Sequence, residues 1–370
     1  ILETERTAII AANQKDIEQF VGDDKALFDR LKADDKKVDG MIKSVIEVLE
    51  KEDPIGKDIY HFEHENGMKV VNRTAPFGTI LIIYESRPDV TIEAASIAFK
   101  SGNKILLKGG KEAINSNLKL VECWHRALNE NGISTDWIEY LDYNREKTQT
   151  FLKNPSQRID LIVPRGGEGL INFVKTHAKC PVLVSGRGNN FLYVHPSADL
   201  EKTMEIIKNG KLSKISACNA LDKILIDENL PDYQGFIKKM ISELDLNKVE
   251  ILTEKRLENL GQNVKIIDDE NIWFEEFLDY KIAIGTAQNM NDAIQKINKY
   301  SGGHSVTILA EDESAATHFM QNIDAAAVYH NASTRFTDGG QFGMGAELAI
   351  STDKLHHRGP LGLNQLVTNK

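Results

Sequence analysis

The first 50 residues carry a helical pattern of apolar positions. Apolar side chains recur three or four positions apart from Ile9 to Phe20 and again from Met41 to Leu49, which predicts helices. Pro54 and Gly56 end this region. Because the pattern is already under way at Ile1, we expect residues upstream of it, with room for a removed targeting segment.

Between residues 58 and 74 the period of the pattern changes from helix to strand. Two strand-like runs, Tyr60–His64 and Met68–Arg73, flank the turn residues Glu65–Gly67. Asn-Gly within that turn tolerates positive φ and is a strong hairpin signal. We expect a protruding hairpin that serves oligomerisation.

Short apolar runs then alternate with amphipathic helical patterns as far as residue 184. The predicted strands are Thr79–Tyr84, Lys104–Lys108, Trp137–Leu141, Asp160–Pro164 and Pro181–Val184. Apolar strands that alternate with helices indicate a parallel sheet covered on both faces. The fold class is therefore α/β, with ligands expected at the carboxyl ends of the strands.

A second α/β unit is predicted after the stretch Gly186–Asn190. Its strands are predicted at Phe191–Val194, Asp222–Ile226, Val249–Leu252, Tyr280–Ile284 and Ser305–Leu309. Helices are predicted between them, including Asp199–Asn209 before the second strand and Lys255–Leu260 after the third.

Three strand-to-helix loops of the first unit each carry a cation: residues 84–88, 108–111 and 164–168. Two of the loops contain paired glycines, which let a backbone approach a phosphate closely at a helix N-terminus. Such loops are often glycine-rich for structural reasons alone, but three in one sheet favour a nucleotide site. The G-x-G-x-x-G fingerprint is absent, so the site is not an ordinary dinucleotide loop.

Composition narrows the function classes. The chain has 370 residues with 41% hydrophobic and 27% charged residues, typical of a globular protein with two or three domains. No apolar run approaches the ~20 residues that span a bilayer. A net charge of -10 argues against nucleic acid as a partner but allows an anionic small substrate.

The cysteines are few and widely spaced. Cys123, Cys180 and Cys218 suggest neither a disulfide framework nor a metal site, and they fit the reducing cytoplasm. Cys218 lies between a predicted helix and a predicted strand, where a nucleophile is plausible. A lone cysteine is more often a small buried side chain. Cys123 fits packing on an amphipathic helix, and no motif supports reactivity at Cys180.

Several long motifs together resemble the family of gamma-glutamyl phosphate reductases (glutamate-5-semialdehyde dehydrogenases) of the aldehyde dehydrogenase superfamily. The motifs that carry the resemblance are residues 75–78, 84–90, 107–117, 218–221, 331–340 and 355–363. The resemblance implies three parts. A Rossmann-like cofactor-binding domain would comprise residues 1–57 and 75–184, and a catalytic domain residues 185–345. A small β oligomerisation flap would comprise residues 58–74 and 346–370.

The resemblance implies NADPH-dependent reduction of L-glutamyl 5-phosphate to L-glutamate 5-semialdehyde, in proline biosynthesis. Cys218 would be the nucleophile that expels phosphate and forms a thioester. The backbone N–H of Cys218 would donate to the oxyanion, and the neighbouring Asn219 is counted with the catalytic residues. Two alternatives stay open: another oxidoreductase of this fold, NAD-dependent or CoA-acylating, and a non-catalytic binding module.

Two departures from the wider superfamily concern the substrate. Ser86 takes the position of an asparagine that donates to the oxyanion, so it would replace that amide only weakly. Arg87 takes an aromatic position of the substrate tunnel, which suits an anionic substrate; alternatively it is a surface arginine paired with Glu85 or Asp89. The stretch Leu183–Gly188 lacks the superfamily's water-activating glutamate, which would protect a thioester from hydrolysis.

The resemblance also implies a cofactor site. Lys108 and Gly109 match the loop that contacts the adenosine ribose. Lys111 stands where NAD-preferring members often have glutamate, which favours NADP(H), unless it is simply solvated. The residues Arg165, Gly166 and Gly167 match the helix start under the cofactor phosphates, and Glu276 partly matches the glutamate that holds the nicotinamide ribose.

Arg335 and His304 complete the candidate residues. Arg335 could bind the glutamyl carboxylate or tie its own glycine-rich loop together. His304 could donate a proton to the product alkoxide or be a core histidine. The expected partners are a small anionic substrate and other copies of this chain, with glutamate 5-kinase as a possible partner that channels the acyl phosphate. No metal, nucleic acid or membrane partner is expected.

Overall fold

The computed structural model describes residues 1–23 and 25–370. The chain divides into two compact units, residues 1–185 with 343–349 and 360–370, and residues 186–342 with 350–359. Each unit has a parallel β-sheet with helices between its strands, which confirms the predicted α/β class. Within the described residues, no helix is long and apolar enough to cross a membrane.

The first unit begins with three helices: α1 (Arg6–Gln19), α2 (Lys25–Leu31) and α3 (Asp35–Glu50). The helical prediction for this region is confirmed. The buried carboxylate of Asp16 in α1 accepts hydrogen bonds from the backbone N–H groups of Asn115 and Ser116, at 3.0 and 2.8 Å. These amides open a later helix, so the side chain of one helix caps another.

The predicted hairpin is present as β1 (Asp58–Glu63) and β2 (Lys69–Pro76), which pair antiparallel. Gly67 has a φ of +84° at the turn, a conformation that glycine adopts without strain. The C-terminal strand Val367–Asn369 pairs with the other end of β2. The hairpin sheet therefore has the order β1, β2, C-terminal strand, and β1 is an open edge.

The parallel sheet of the first unit has four strands in the order β5-β4-β3-β6. These strands are β3 (Thr79–Tyr84), β4 (Lys104–Lys108), β5 (Ile138–Tyr140) and β6 (Leu161–Arg165). The intervening helices are α4 (Pro88–Lys100), α5 (Ile114–Glu130), α6 (Arg145–Lys153) and α7 (Glu168–His177). The chain moves outward from β3 to β5 and then returns to the other side of β3. The carboxyl ends of β3 and β6 thus form a topological switch point, where open α/β sheets bind ligands.

The predicted strand at Pro181–Val184 is wrong. This segment makes a single bridge, between Val182 and Ile162 of β6. The N–H of Ile162 donates to the carbonyl oxygen of Pro181 at 2.9 Å, and the N–H of Leu183 donates to the carbonyl oxygen of Ile162 at 2.8 Å. Because Pro181 has no N–H, it adds no donor to the ladder, and the pairing ends there.

The second unit contains a seven-stranded parallel sheet in the order β10-β9-β11-β8-β7-β12-β13. Its strands are β7 (Asn190–Val194), β8 (Leu221–Asp227), β9 (Glu250–Thr253), β10 (Val264–Ile266), β11 (Lys281–Ala287), β12 (Ser305–Leu309) and β13 (Ala327–His330). Its helices are α8 (Leu200–Leu212), α9 (Tyr233–Leu246), α10 (Met290–Tyr300) and α11 (Glu313–Asn322).

Sequence periodicity missed two elements of this unit and left the type of a third open. The helix predicted at Lys255–Leu260 is present and is a 3₁₀ helix, because six residues before Gly261 are too few for stable α turns. The edge strands β10 and β13 have three and four residues, too few to show a period of two. The central strand β8 is buried along its whole length, and it directly follows the loop that carries Cys218.

Candidate functional site

Cys218 lies in the loop between α8 and β8, as the sequence predicts, and it is partly buried. The other two cysteines are less suited to nucleophilic chemistry. Burial raises the pKa of the Cys123 thiol and the pKa of the Cys180 thiol, which reduces the thiolate fraction of each.

The side chain of Asn190 holds the loop that carries Cys218. Its amide nitrogen Nδ2 lies 2.8 Å from the carbonyl oxygens of Gly188 and Cys218 and 2.6 Å from that of Ala220. Its oxygen Oδ1 accepts from the N–H of Ser305, at 3.0 Å. One buried carboxamide at the start of β7 thus connects the carbonyl of Cys218 and the end of its loop to β12. Sequence reasoning passed over Asn190, although the motif Gly186–Asn190 was the available signal.

Gly188 has no side chain, and the main chain of Cys218 and the carboxylate of Glu276 occupy the space beside it. A Cβ atom at position 188 would overlap the carbonyl oxygen of Cys218 and lie 2.6 Å from Oε1 of Glu276. Only a residue without a side chain fits there. The structure therefore brings Glu276 to the backbone of the Cys218 loop, as expected for two residues of one site.

Asn219 connects the Cys218 loop to residues 334–337 by hydrogen bonds. Its Nδ2 donates to the carbonyl oxygens of Arg335 and Thr337, at 3.1 and 2.9 Å. Its own carbonyl accepts from the hydroxyl of Thr334, at 2.8 Å. Both amide hydrogens are committed, so the catalytic role suggested by the sequence gives way to a positioning role.

The guanidinium of Arg335 lies close to Cys218. Its Nε donates to the Ser213 hydroxyl at 3.0 Å, and its buried Nη1 has no hydrogen-bond partner among the described residues. Burial lowers the pKa of Arg335, while the charge of the Cys218 thiolate acts in the opposite direction. A cation with a spare donor beside the thiol can stabilise the thiolate or bind an anionic group.

His304 does not fit a substrate-binding residue. It is fully buried, and its Nδ1 lies 2.7 Å from the hydroxyl of Ser305. Burial lowers the pKa of His304 to about 4, so the ring is neutral near pH 7. The packing interpretation of this residue is the one that the geometry favours.

In the first unit, Ser86 is engaged by an acid that sequence reasoning missed. The carboxylate of Glu112 accepts from the N–H and the hydroxyl of Ser86, at 2.8 and 3.0 Å. A hydroxyl has one hydrogen to donate. Ser86 could therefore donate to an oxyanion only by releasing Glu112, which weakens the expectation of a catalytic role.

Arginine side chains follow both strands of the switch point. Arg87 pairs with the buried Asp89 at 3.0 Å, which is the structural alternative raised by the sequence, and 37% of its side chain stays exposed. Arg165 makes no ion pair or side-chain hydrogen bond within residues 1–23 and 25–370. Burial and the neighbouring Arg87 lower the pKa of Arg165, and Glu93 opposes them. Two guanidinium groups thus stand at the ends of β3 and β6.

The glycine loop that follows β6 is held by an acidic side chain. The carboxylate of Glu85 accepts from the N–H of Gly167 at 3.0 Å, at the start of α7. A Cβ at Gly166 would lie 2.5 Å from that carboxylate. This N–H is therefore already satisfied, and an anion at the helix start would use the amides and the cation around it.

The two lysines at the end of β4 and in the loop after it, Lys108 and Lys111, differ in exposure and in contacts. Lys108 folds back so that its Nζ donates to the carbonyl of Gly109 at 2.5 Å, and burial lowers the pKa of Lys108. Lys111 is exposed and has no ion-pair partner in the described part of the chain. A Cβ at Gly109 would meet the hydroxyl of Tyr140 at 3.1 Å. Exposed Lys111, the glycine backbone and Arg165 together fit a phosphate-bearing nucleotide.

Comparisons with known proteins show which proteins this chain is similar to. The model of the aldehyde dehydrogenase family matches residues 8–255. Gamma-glutamyl phosphate reductase of Clostridium perfringens is 40% identical, over 98% of this chain and 87% of that protein. The enzyme of the same name from Thermotoga maritima is 42% identical, over 100% of this chain and 89% of that protein.

Solved structures give the same result. A crystal structure of gamma-glutamyl phosphate reductase from Thermotoga maritima matches with a TM-score of 0.94 at 42% identity, over 100% of this chain and 89% of that one. An acetylating aldehyde dehydrogenase from Geobacillus thermoglucosidasius matches with a TM-score of 0.64 at 18% identity, over 100% of this chain and 96% of that one. The second likeness concerns the fold alone.

A methyl group at position 188 should disturb the Cys218 loop. Gly188→Ala is expected to lower the midpoint of thermal unfolding, with an overpacking cost of about 1–3 kcal/mol. Hydrogen exchange of residues 213–220 should be faster in the variant. Gly40→Ala is the matched control, because a Cβ at Gly40 meets nothing within 4 Å. Equal exchange rates in Gly188→Ala and the native chain would contradict the steric argument.

Proposed function

The chain belongs to the aldehyde dehydrogenase family and, within it, to the gamma-glutamyl phosphate reductases, and from this premise we propose that it reduces L-glutamyl 5-phosphate to L-glutamate 5-semialdehyde. Phosphate is the second product, and the pathway is proline biosynthesis. The observation that carries the proposal is the partly buried Cys218 with the Arg335 guanidinium beside it. Relatives at 40–42% identity over nearly the whole chain bear this enzyme name.

The reaction follows from the chemistry of a thiolate. The Cys218 sulfur attacks the acyl carbon, the carbon–sulfur bond forms, and the carbon–oxygen bond to phosphate breaks with its electron pair leaving on phosphate. The nicotinamide cofactor used throughout the family, when bound, supplies a hydride. The thioester carbon of Cys218 accepts that hydride, and collapse of the resulting oxyanion returns the thiolate and frees the aldehyde.

Three groups are proposed to stabilise the negative charges of this reaction, which lie on the oxyanion, the thiolate and the substrate. The backbone N–H of Cys218 donates to the oxyanion. Arg335 favours the thiolate and binds an anionic group of the substrate, since its Nη1 has no partner among the described residues. Arg87 offers a second cation to the substrate, because more than a third of its side chain is exposed despite its pair with Asp89.

We further propose NADP(H) as the cofactor. Lys111 is the exposed cation that would pair with a 2′-phosphate, while Lys108 and Gly109 form the loop beside it. The residues Arg165, Gly166 and Gly167 would face the cofactor phosphates at the start of α7. Glu276, beside the Cys218 loop, would hold the nicotinamide ribose. Glutamate 5-kinase remains a proposed partner, because the acyl phosphate must come from phosphoryl transfer to a carboxylate.

The proposed reaction can be tested in the reverse direction. Reduction of NADP+ with glutamate 5-semialdehyde should require inorganic phosphate, since phosphate must cleave the thioester. Cys218→Ala should lower kcat by at least about 10⁴-fold, while Cys180→Ala should stay within about twofold. The assay follows absorbance of the reduced cofactor with and without phosphate. Phosphate-independent turnover, or replacement of phosphate by coenzyme A, would instead support another oxidoreductase of this fold.

Cofactor preference provides a separate test. Lys111→Glu removes a cation and places an anion near the 2′-phosphate, so kcat/KM with NADP+ should fall by about 10–100-fold while that with NAD+ changes little. Lys36→Glu is the control, because it makes the same charge change at an exposed position of α3. If both variants keep the native ratio of NADP+ to NAD+ efficiency, Lys111 is only a solvated side chain.

We propose that the hairpin joins copies of this chain. The two strands expose large apolar side chains that a single copy leaves uncovered: Ile59, Tyr60, Phe62, Val70 and Val71. The edge strand β1 also has main-chain groups available for pairing. A second copy is the proposed occupant, because Tyr60, Phe62 and Val70 lie on one face of the hairpin, and the open edge of β1 borders that face.

Disruption of this surface should reduce the assembly. Phe62→Asp buries a charge in the proposed interface and should shift the mass measured by analytical ultracentrifugation toward the single chain. Leu246→Asp is the control, because Leu246 is 77% exposed at the end of α9. A native chain that sediments as a monomer would refute the proposal, as would Phe62→Asp protein that keeps the native mass.

A further inference from the structure

Two lysine side chains of the second unit are buried in its interior. Lys211 on α8 and Lys223 on β8 are both 0% exposed. Lys211 pairs with Oδ1 of Asp222 at 3.0 Å. Lys223 donates from Nζ to the carbonyl oxygen of Glu275 at 2.8 Å and lies 3.4 Å from the ring centroid of Phe277. Burial of an ammonium group is costly unless hydrogen bonds and charges compensate it.

The contacts of these residues converge on both neighbours of Glu276. Lys223 holds the carbonyl before it, and Oδ2 of Asp222 accepts from the N–H of Phe277 after it, at 2.8 Å. Asp222 and Lys223 are adjacent residues of β8, the strand that directly follows the Cys218 loop. The backbone around Glu276 is therefore anchored to the strand that also begins at the nucleophile.

We propose that Lys223 is a positioning residue that fixes Glu276 relative to Cys218 and thereby sets the affinity of the enzyme for its nicotinamide cofactor. The inference rests on the proposed function, because it takes Glu276 as the residue that holds the cofactor. Lys223 does not touch the reacting atoms: it acts through the main chain of Glu275 and the ring of Phe277. A methionine at this position would fill similar space without the hydrogen bond or the charge.

The surroundings of Lys223 make its charge sensitive to pH. Burial lowers the pKa of Lys223 to about 7, with Lys211 and Lys281 acting in the same direction and Asp222 and Glu275 opposing them. Above that pH the amine is neutral. The hydrogen bond to Glu275 then loses its charge assistance and the cation–π contact is lost. The segment around Glu276 should therefore be held less firmly as pH rises.

The effect on stability has the opposite sign. The folded-state pKa lies below the unfolded value, so the unfolded chain binds more protons between about pH 7 and pH 10.5. Stability from this group therefore rises with pH over that window, and the cost of the buried charge is fully present below it. Cofactor affinity and stability should respond to Lys223 in opposite directions, which separates positioning from a merely structural role.

Binding of NADPH, followed by its fluorescence without any substrate, tests the proposal. Native affinity should weaken by about 3–10-fold between about pH 6 and pH 8.5. Lys223→Met should bind NADPH about 3–10-fold more weakly at the lower pH and show no such pH dependence. In turnover, its KM for NADPH should rise by the same factor while kcat changes less than about twofold. Its unfolding midpoint should exceed the native one most at low pH.

Lys281→Met is the matched control. Lys281 lies over the same Phe277 ring, at 4.5 Å, but its side chain is 22% exposed and approaches the Glu275 carboxylate at 3.6 Å. Removal of this lysine should leave the pH dependence of NADPH binding in place. Lys223→Arg stays charged throughout and should keep the native low-pH affinity up to about pH 8.5.

The outcomes are distinguishable from failure of the proposed function. A native protein that binds NADPH but shows no phosphate-dependent turnover refutes the reaction and leaves the positioning test intact. Native binding that is independent of pH overturns the inference without any variant. The inference is also overturned if Lys223→Met and the native protein have the same affinity at both pH values, or if Lys281→Met abolishes the pH dependence equally.

Discussion

The carboxamide of Asn190 is the interaction on which the candidate catalytic centre depends. The loop around Cys218 has no regular secondary structure, so its carbonyl groups need partners from elsewhere. The Asn190 amide donates to the carbonyls of Cys218 and Ala220, and its oxygen accepts from the N–H of Ser305, which fixes the orientation of the carboxamide. Because Asn190 begins a central strand, these hydrogen bonds anchor the loop that carries Cys218 to the sheet.

Other side chains of the second unit also hold neighbouring segments by hydrogen bonds to their main chain. Asn219 ties the loop to the main chain of Arg335 and Thr337, which places the Arg335 guanidinium beside the thiol. Asp222 and Lys223 anchor the segment around Glu276. Each of these side chains binds the main chain of another segment, so the candidate site residues are held in place by hydrogen bonds from their neighbours.

The first unit combines acids with the cations that would meet an anionic cofactor or substrate. Glu112 engages Ser86, Glu85 engages Gly167, and Asp89 pairs with Arg87. Each acid fixes a loop of the switch point or orients a cation. Arg165 and Lys111 have no such partner in the described ranges, which leaves them for a phosphate-bearing ligand.

The fold was largely predictable from the sequence because long elements carry a clear period. Strands such as β3 and β12 were predicted to the residue, while β10 and β13 were missed because short edge strands have no measurable period. The position of Cys218 between helix and strand was likewise predictable. The roles of Asn190, Glu112 and Lys223 were not, because each depends on contacts with residues distant in the sequence.

The stretch Leu183–Gly188 contains two glycines, and the structure shows how much space surrounds each of them. From the sequence, this stretch lacks the acid that would activate water against a thioester. In the structure, a Cβ at Gly186 would lie 2.8 Å from the carbonyl oxygen of Gly302, and one at Gly188 would overlap that of Cys218.

Neither glycine of this stretch therefore has room for a side chain, because main-chain atoms cannot yield as a flexible side chain can. At Gly188 the obstacle is the main chain of Cys218, and at Gly186 it is the main chain of Gly302 together with the Thr352 side chain. Close packing therefore excludes an acidic side chain at positions 186 and 188, and the carboxylate that the structure places beside the Cys218 loop is that of Glu276.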